Sequence, residues 1–438
     1  MNQVALLKDR LTWQRRNSVS SRLLSILKRY GVGDQRMVMA IFHYLKMVAK
    51  YGAVPTFPIT AQVVARHADT IRKFQDRGAE FAIHGYSHVD YTMLSRRGAG
   101  EQLSKAIEVF HKNGINYSGF RFPYLKRDPE LFGLFSTLGF AWDSSDTVDF
   151  DSVQPDNFPE KTWQSYDFMR RDYGKKFMVT QTALPKMKDD VLEIPVALPD
   201  DDLLVDRLLI DDVSFIAACW KRMLVRNYEK GEIFVLQLHP ERFFICESAL
   251  EVLLEVAFRA KSKIWLASLN EVNKWWRERN GFFAAVQKIS KSRFSVKIFC
   301  TERSTLLIKN GENLNNGEPL IENYYPINTK SFEMECNVKP VIGVPNDFPK
   351  HLSDYLHEQG FVFEIVKPQS KYAVNLAQES NNNSLNIPAL DESIRQSTHP
   401  LLRFWRWPNQ ARCALSITGD IDCLTHLDFY TRLWELSS

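Results

Sequence analysis

Apolar residues recur at helical spacing over 35–50, where Met37, Ile41, Leu45 and Val48 share one face, and Tyr51-Gly52 stops the run. A regular alternation of strand and helix patterns follows. Short apolar runs predict strands over 53–59, 80–83, 117–120, 140–142, 191–196, 233–238 and 264–267. Between them, helical periodicity predicts helices over 61–76, 100–113, 128–137, 212–228, 247–260 and 269–277, several closed by a glycine such as Gly78, Gly114 or Gly139. An Asp- and Lys-rich passage before residue 191 is less regular. The alternation predicts an α/β fold, a parallel sheet with helices outside it, and about seven strands in one run point to an open or distorted (β/α) barrel.

The flanks read differently. Over 3–30, Leu6, Leu7, Leu11, Leu23, Leu24 and Leu27 sit at helical spacing among many Arg and Lys. This predicts a basic helical extension packed on the main domain, with peripheral contact to an anionic membrane face as the sharper alternative. Beyond Arg279, residues 293–338 hold β-branched and aromatic runs with Asn310-Gly311 and Asn316-Gly317 turns, the pattern of a small β module. Residues 341–366 read as strand–helix–strand, and 367–398, with Asn381-Asn382-Asn383-Ser384, as a solvated linker. From 412 to 434 the first texture returns: an apolar strand, an acidic turn and a helix. The expected division is an N-terminal extension (1–34), the main part of the barrel (35–279), a bridging module and linker (280–400), and a C-terminal strand and helix (401–438).

Composition narrows the function. Of the 438 residues 45% are hydrophobic and 25% charged, an ordinary soluble profile. A net charge of +4 is too small to argue for nucleic acid. No apolar stretch reaches the ~18 residues of a membrane span, and 1–16 lacks a signal peptide's apolar core. Cys219, Cys246, Cys300, Cys336, Cys413 and Cys423 form no C-x-x-C pair, so a reducing, cytoplasmic setting is expected.

Five motifs stand at or just after predicted strand ends, where α/β folds place their chemistry. They are His84-Gly85-Tyr86-Ser87-His88, Arg121-Phe122-Pro123-Tyr124, Asp143-Ser144-Ser145, Leu236-Gln237-Leu238-His239-Pro240 and Thr418-Gly419-Asp420-Ile421-Asp422. Taken singly, each has a plain structural reading: a surface ion pair for Arg121, a helix-capping turn for Asp420 and Asp422, a buried strand end for His239. Two imidazoles four residues apart can share one metal ion. Together the motifs resemble those of the polysaccharide deacetylases, the NodB-homology domain of carbohydrate esterase family 4. Ser87 precedes the second histidine instead of following the first, and the Asp143 motif is the loosest match.

The resemblance implies a distorted (β/α) barrel and a hydrolase acting on non-peptide C–N bonds, removing N-acetyl or O-acetyl groups from an acetylated saccharide or amino sugar with a divalent metal, Zn²⁺ first among candidates. It implies His84, His88 and Asp422 as metal ligands and Asp420 as general base. Arg121 then orients the base, the Tyr124 backbone N–H helps hold the oxyanion, His239 is the general acid, and Asp143 orients His239 or a neighbour. In the family the acidic turn comes first; here the matching turn lies at the C-terminus, so a circular permutation is expected, with the tail completing its own barrel or that of a partner in a homodimer. Two other readings stay open: a catalytically inactive carbohydrate-binding protein on the same fold, and a hydrolase of C–N bonds in small molecules. Asp200-Asp201-Asp202 reads as a solvated turn at the rim of the site, and Trp275, Trp276, Trp405 and Trp407 as core or sugar-stacking rim.

Overall fold

The computed structural model describes residues 29–31, 33–173, 182–260, 263–311, 317–379 and 386–435. The helix expected over 3–30, with its membrane-contact alternative, lies almost wholly outside them.

The main unit is an α/β layer built on one curled sheet. Its strands are β1 (Thr56–Ile59), β2 (Glu80–Ile83), β3 (Gly119–Phe120) and β4 (Trp142–Asp143). After β5 (Thr147–Asp149) come β6 (Lys186–Lys188), β7 (Val191–Glu193), β8 (Val196–Leu198), β9 (Ile233–Gln237) and β10 (Ile264–Leu266). The beyond-barrel strands are β11 (Phe283–Ser290), β12 (Arg293–Phe299), β13 (Leu306–Lys309), β14 (Tyr324–Ile327), β15 (Ser331–Glu335), β16 (Lys339–Val344), β17 (Phe363–Ile365), β18 (Tyr372–Asn375) and β19 (Leu401–Phe404), followed by β20 (Cys413–Thr418). The large sheet runs β10-β20-β1-β2-β3-β4-β7-β6, with β9 also on β20, and every pairing is parallel except β6 with β7. β5 and β8 pair separately in parallel, and β8 packs alongside β9, which curls the layer round.

β20 is the strand about which this sheet is organised. It pairs with β9 along Ala414–Thr418, with β10 along Cys413–Leu415, and with β1 through Thr56 and Thr418. All six of its residues are buried. That agrees with its sequence, an unbroken run of small and apolar side chains of the kind a two-sided parallel sheet requires. The helix Val213–Lys230 packs on it, and Tyr44 of the helix Gln35–Lys50 donates its hydroxyl to the Thr418 carbonyl at 3.2 Å.

Several expected elements differ in extent. The 100–113 helix begins earlier, at Arg96, because Ser95 caps it by accepting from Gly98 N. The helix expected over 128–137 is a 3₁₀ turn (Pro129–Leu131) and one α turn (Phe132–Phe135), since Asp128-Pro129 favours a turn. The single strand expected over 191–196 is two, β7 and β8, in different sheets. The stretch 367–398 is not a linker where it is described. β18 pairs in parallel with β16, and the helix Ile387–Gln396 buries Leu390 and Ile394. The Asn-rich residues 380–385 dominated its composition and hid the apolar Tyr372-Ala373-Val374 run. They lie outside the described residues.

The remaining strands form three small sheets: antiparallel β11-β12-β15 and β14-β13-β19, and parallel β17-β16-β18 around the helix Lys350–Gln359. They meet the main unit along a seam of tryptophans. Trp275, Trp276, Trp405 and Trp407 are all fully buried there, so they are core and not rim. Trp275 donates to Arg406 O at 2.7 Å, and Trp407 to Gly231 O at 2.9 Å.

Candidate active site at the carboxyl ends of the strands

The acidic turn is held from both sides. Gly419 N donates to Thr56 O at 3.2 Å, Ile421 N to Pro58 O at 2.8 Å, and Leu238 N to Thr418 O at 2.8 Å. A Cβ on Gly419 would lie 2.1 Å from Leu238 O, so only glycine lets the turn lie this close to the end of β9. The His84–His88 loop is fixed by a helix start. The first N–H groups of helix Ala61–Gln75, which have no intrahelical acceptor, donate to Gly85 O (2.9 Å) and Tyr86 O (3.0 Å). Gly85 itself has φ +84°, and a Cβ there would meet Ser87 O at 2.9 Å.

These loops bring together residues more than 330 positions apart in the chain. His84 Nε2 lies 3.5 Å from Asp422 Oδ1, and His88 Nε2 lies 3.4 Å from Asp422 Oδ2. One donor atom from each of the three residues lies within 4.8 Å of the others. His84 donates Nδ1–H to the Arg121 carbonyl at 2.8 Å, which leaves the Nε2 lone pair facing the group. His84 Nε2 and Asp422 Oδ1 are buried and have no hydrogen-bond partner among the described residues. Two imidazoles and a carboxylate are the donor chemistry of a catalytic divalent-cation site, so these residues fit a metal. Burial works against ionisation of Asp422, but His88, Arg432 and His84 hold its carboxyl well below the usual range. Burial and then the Arg432 charge hold the His88 imidazole well below its ordinary value.

Asp420 sits beside this group, its Oδ2 3.6 Å from His84 Nε2. Its Oδ1 accepts from Arg121 Nη1 at 2.8 Å and its Oδ2 from Gln237 Nε2 at 3.0 Å. Arg121 is fully buried and spends its other donors on Ser144 O (2.7 Å), Ser144 Oγ (2.9 Å) and Thr418 Oγ1 (3.0 Å). Tyr124 has the left-handed φ of +61°, followed by Leu125 at +55°, and its ring meets His88 edge-on at 4.4 Å. Consecutive left-handed residues with bulky side chains are strained, and such strain gathers at functional sites.

His239 follows β9 as expected, but its partner is not Asp143. His239 Nδ1 lies 2.7 Å from Asp201 Oδ1, and His239 N donates to Asp201 Oδ2 at 2.9 Å. Burial alone would depress the His239 imidazole; the Asp201 carboxylate instead holds it well above its ordinary value. Asp143 orients a neighbour. Ser145 Oγ donates to it at 2.9 Å and accepts from Phe122 N at 2.9 Å, which fixes the Arg121–Tyr124 loop. Burial and the nearby Glu193 push the Asp143 carboxyl well above the usual range.

The expectation of a solvated Asp200–Asp202 turn is corrected: all three are buried. Three adjacent carboxylates read as solvated because most of their partners, His239, Arg242 and Tyr173, come from distant parts of the chain, and Arg207 alone of those named is a near neighbour. Asp200, Asp201 and His239 also lie close enough to suggest a second cation group, yet Asp201 already spends its oxygens on His239 and Arg242. Sequence reasoning also missed Gln237, the variable position of its motif, and Arg432, which sits in no motif. Another histidine near the acidic turn, His426, starts the last helix and meets the Tyr430 ring edge-on at 6.3 Å. Among the described residues no helix is long and apolar enough to cross a membrane.

Comparison with known proteins covers part of this arrangement, the His84–His88 and Arg121–Tyr124 motifs. Residues 34–141 match the family described as Polysaccharide deacetylase. A peptidoglycan deacetylase-like protein of Gibberella zeae is 30% identical over 125 residues, 28% of this chain and 31% of that protein. The chain thus spans about a third of that relative. A Mycobacterium smegmatis structure assigned as a polysaccharide deacetylase is similar at 18% identity and TM-score 0.44, over 62% of this chain and 84% of its own. One from Pseudomonas aeruginosa assigned likewise is similar at 20% identity and TM-score 0.41, over 55% and 73%. Over residues 34–141, which carry the His84–His88 and Arg121–Tyr124 motifs, the chain is similar to the polysaccharide deacetylase family.

Proposed function

We propose that this protein is a metal-dependent deacetylase that hydrolyses N-acetyl or O-acetyl groups of an acetylated saccharide. The observation that carries the reading is the convergence of His84, His88 and Asp422 on one point, with Asp420 on one side and His239 nearby. His84, His88 and Asp422 would hold the cation. A bound divalent ion there supplies Lewis acidity, acidifying water and polarising the acetyl carbonyl.

The chain's own residues account for the proton movements. Asp420 takes the proton of the attacking water, its carboxylate oriented by Arg121 and Gln237. The Tyr124 backbone N–H, presented by the left-handed turn, donates to the developing oxyanion. His239, kept protonated by Asp201, delivers the proton to the departing amine or alcohol. The pairing of β20 with β9, β10 and β1 supports reading 413–435 as the family's first strand and helix carried at the other end of the domain, a circular permutation. The strands between β10 and β20 then form an inserted module.

The test is acetate release from N-acetylglucosamine oligomers by the zinc-loaded protein. Asp420→Asn is expected to retain zinc and lose about 10²–10⁴-fold in turnover, the usual contribution of a general base. Wild-type turnover by Asp420→Asn would remove the assigned base. Absence of acetate release from any acetylated sugar would remove the deacetylase reading.

A further inference from the structure

The last helix, His426–Glu435, brings a permanent cation into the group of candidate ligands. Arg432 Nη1 donates to Asp422 Oδ2 at 2.6 Å, and Arg432 Nη2 lies 2.7 Å from His88 Nδ1 and 3.4 Å from Tyr124 Oη. Its guanidinium also stands over the Tyr124 ring, 5.9 Å from the centroid. The helix is pinned one turn earlier. Asp428 accepts from Leu424 N (3.1 Å), Thr425 N (3.0 Å) and Arg66 Nη1 (3.1 Å), and pairs with His67 Nε2 at 3.0 Å. Arg432 is therefore placed by an anchored helix.

The chemistry of this contact has a consequence for His88. A guanidinium has donors only, so His88 Nδ1 must accept from it. A neutral imidazole that accepts at Nδ1 carries its proton on Nε2, the nitrogen that faces Asp422. A protonated Nε2 has no lone pair for a metal. His84 is in the opposite state, with Nδ1–H given to the Arg121 carbonyl and Nε2 open. The two histidines of one motif are thus set in different tautomers, one ready for a cation and one closed to it.

We propose that Arg432 competes with the divalent cation for His88: the hydrogen bond from Arg432 to His88 Nδ1 and a metal bond at His88 Nε2 exclude each other, so the cation is taken up only when the last helix releases His88. This rests on the metal-dependent reading above. Arg432 can keep its contact to Asp422 Oδ2 through Nη1 while Nη2 lets go, and a released His88 Nδ1–H needs a new acceptor. The anchor at Asp428 limits the movement to the turn that carries Arg432. In this arrangement the acidic turn and the last helix, which follow one another in the chain, act oppositely: one supplies a ligand and the other opposes its use.

The experiment compares wild type, Arg432→Met and Arg432→Lys. Long-range ¹H–¹⁵N spectra of the metal-free proteins report the His88 tautomer, and calorimetric titration with zinc chloride reports affinity. The expected result is an Nε2–H imidazole in wild type, a shift toward Nδ1–H in Arg432→Met, and zinc bound about ten- to a hundredfold more tightly by that variant, the range over which groups on a ligand's far nitrogen set metal affinity. Arg432→Lys, which keeps a charge but cannot fork between Asp422 and His88, is expected to lie between the two. Zinc bound equally or more weakly by both variants, or an Nδ1–H tautomer in metal-free wild type, overturns the competition and leaves the metal site standing. Zinc bound by none of the three proteins overturns the metal reading, and the competition with it.

Discussion

Asp201 and His239 form a pair whose charge state is set by tertiary contact. Both Asp201 oxygens bond His239, one to the ring and one to the backbone N–H. Burial resists a charged imidazole, and the Asp201 carboxylate outweighs it, so the His239 value stands well above its ordinary one. In its proposed role of general acid His239 acts in its protonated form, and activity is then expected to be lost as pH rises through its pKa. Replacing Asp201 by Asn removes the charge that raises the value. The alkaline limb of kcat/KM is therefore expected to move to lower pH, by about one unit or more, when deacetylation is followed from pH 6 to 10. An unmoved limb would show that His239 does not deliver the proton. In the sequence His239 is visible through its motif, while Asp201 is hidden among three consecutive carboxylates.

At the scale of elements, the acidic turn depends on a glycine without a left-handed backbone. The Leu238 carbonyl occupies the space a Gly419 side chain would need, and backbone there cannot yield cheaply. Gly419→Ala is expected to cost about 2–4 kcal/mol, within the range of overpacking in a filled interior. Urea unfolding followed by circular dichroism measures the cost, and zinc affinity should fall with it, because the displaced turn carries both Asp420 and Asp422. Undiminished stability would mean that β9 and β20 can separate at this end. The periodicity along the chain identifies β2, β9, β10 and β20 well, since each is a compact apolar run, and it starts β1 three residues early. It reads β3 and β4 too long, because two-residue pairings leave little pattern.

For the whole molecule, the seam between the main unit and the added sheets continues the apolar interior of the main unit. Trp407 is fully buried against Trp265 and Trp276, with ring centroids at 6.3 and 5.5 Å. Three arginines cross the same seam without a carboxylate hydrogen-bond partner among the described residues. Arg279 donates to Glu358 O at 3.0 Å, Arg403 to Gln359 O at 3.0 Å and Arg406 to Lys230 O at 2.9 Å. Burial and then the neighbouring guanidinium charges lower Arg279 to about 9 and Arg406 to about 10. Carbonyl acceptors alone do not balance those charges, so the seam relies on its aromatic packing. Trp407→Ala is expected to cost about 3–5 kcal/mol in global stability through the cavity and the lost bond to Gly231 O, measured by denaturant melts. A cost under 1 kcal/mol would show that the seam is loosely packed.

The sequence by itself determined the strand–helix alternation, the strand ends that carry His84, Arg121, His239, Asp420 and Asp422, and the return of a barrel-type strand near residue 413. Those features are local: periodicity needs only neighbours in the chain, and each motif sits within five residues. Only the tertiary structure decided which strands β20 joins, that Asp201 and not Asp143 serves His239, that Asp143 acts through Ser145 on Phe122, and that Arg432 reaches His88. Each of these couples side chains far apart in sequence, across a buried space where a charge must find a partner. A pattern read along one chain carries no record of that distance.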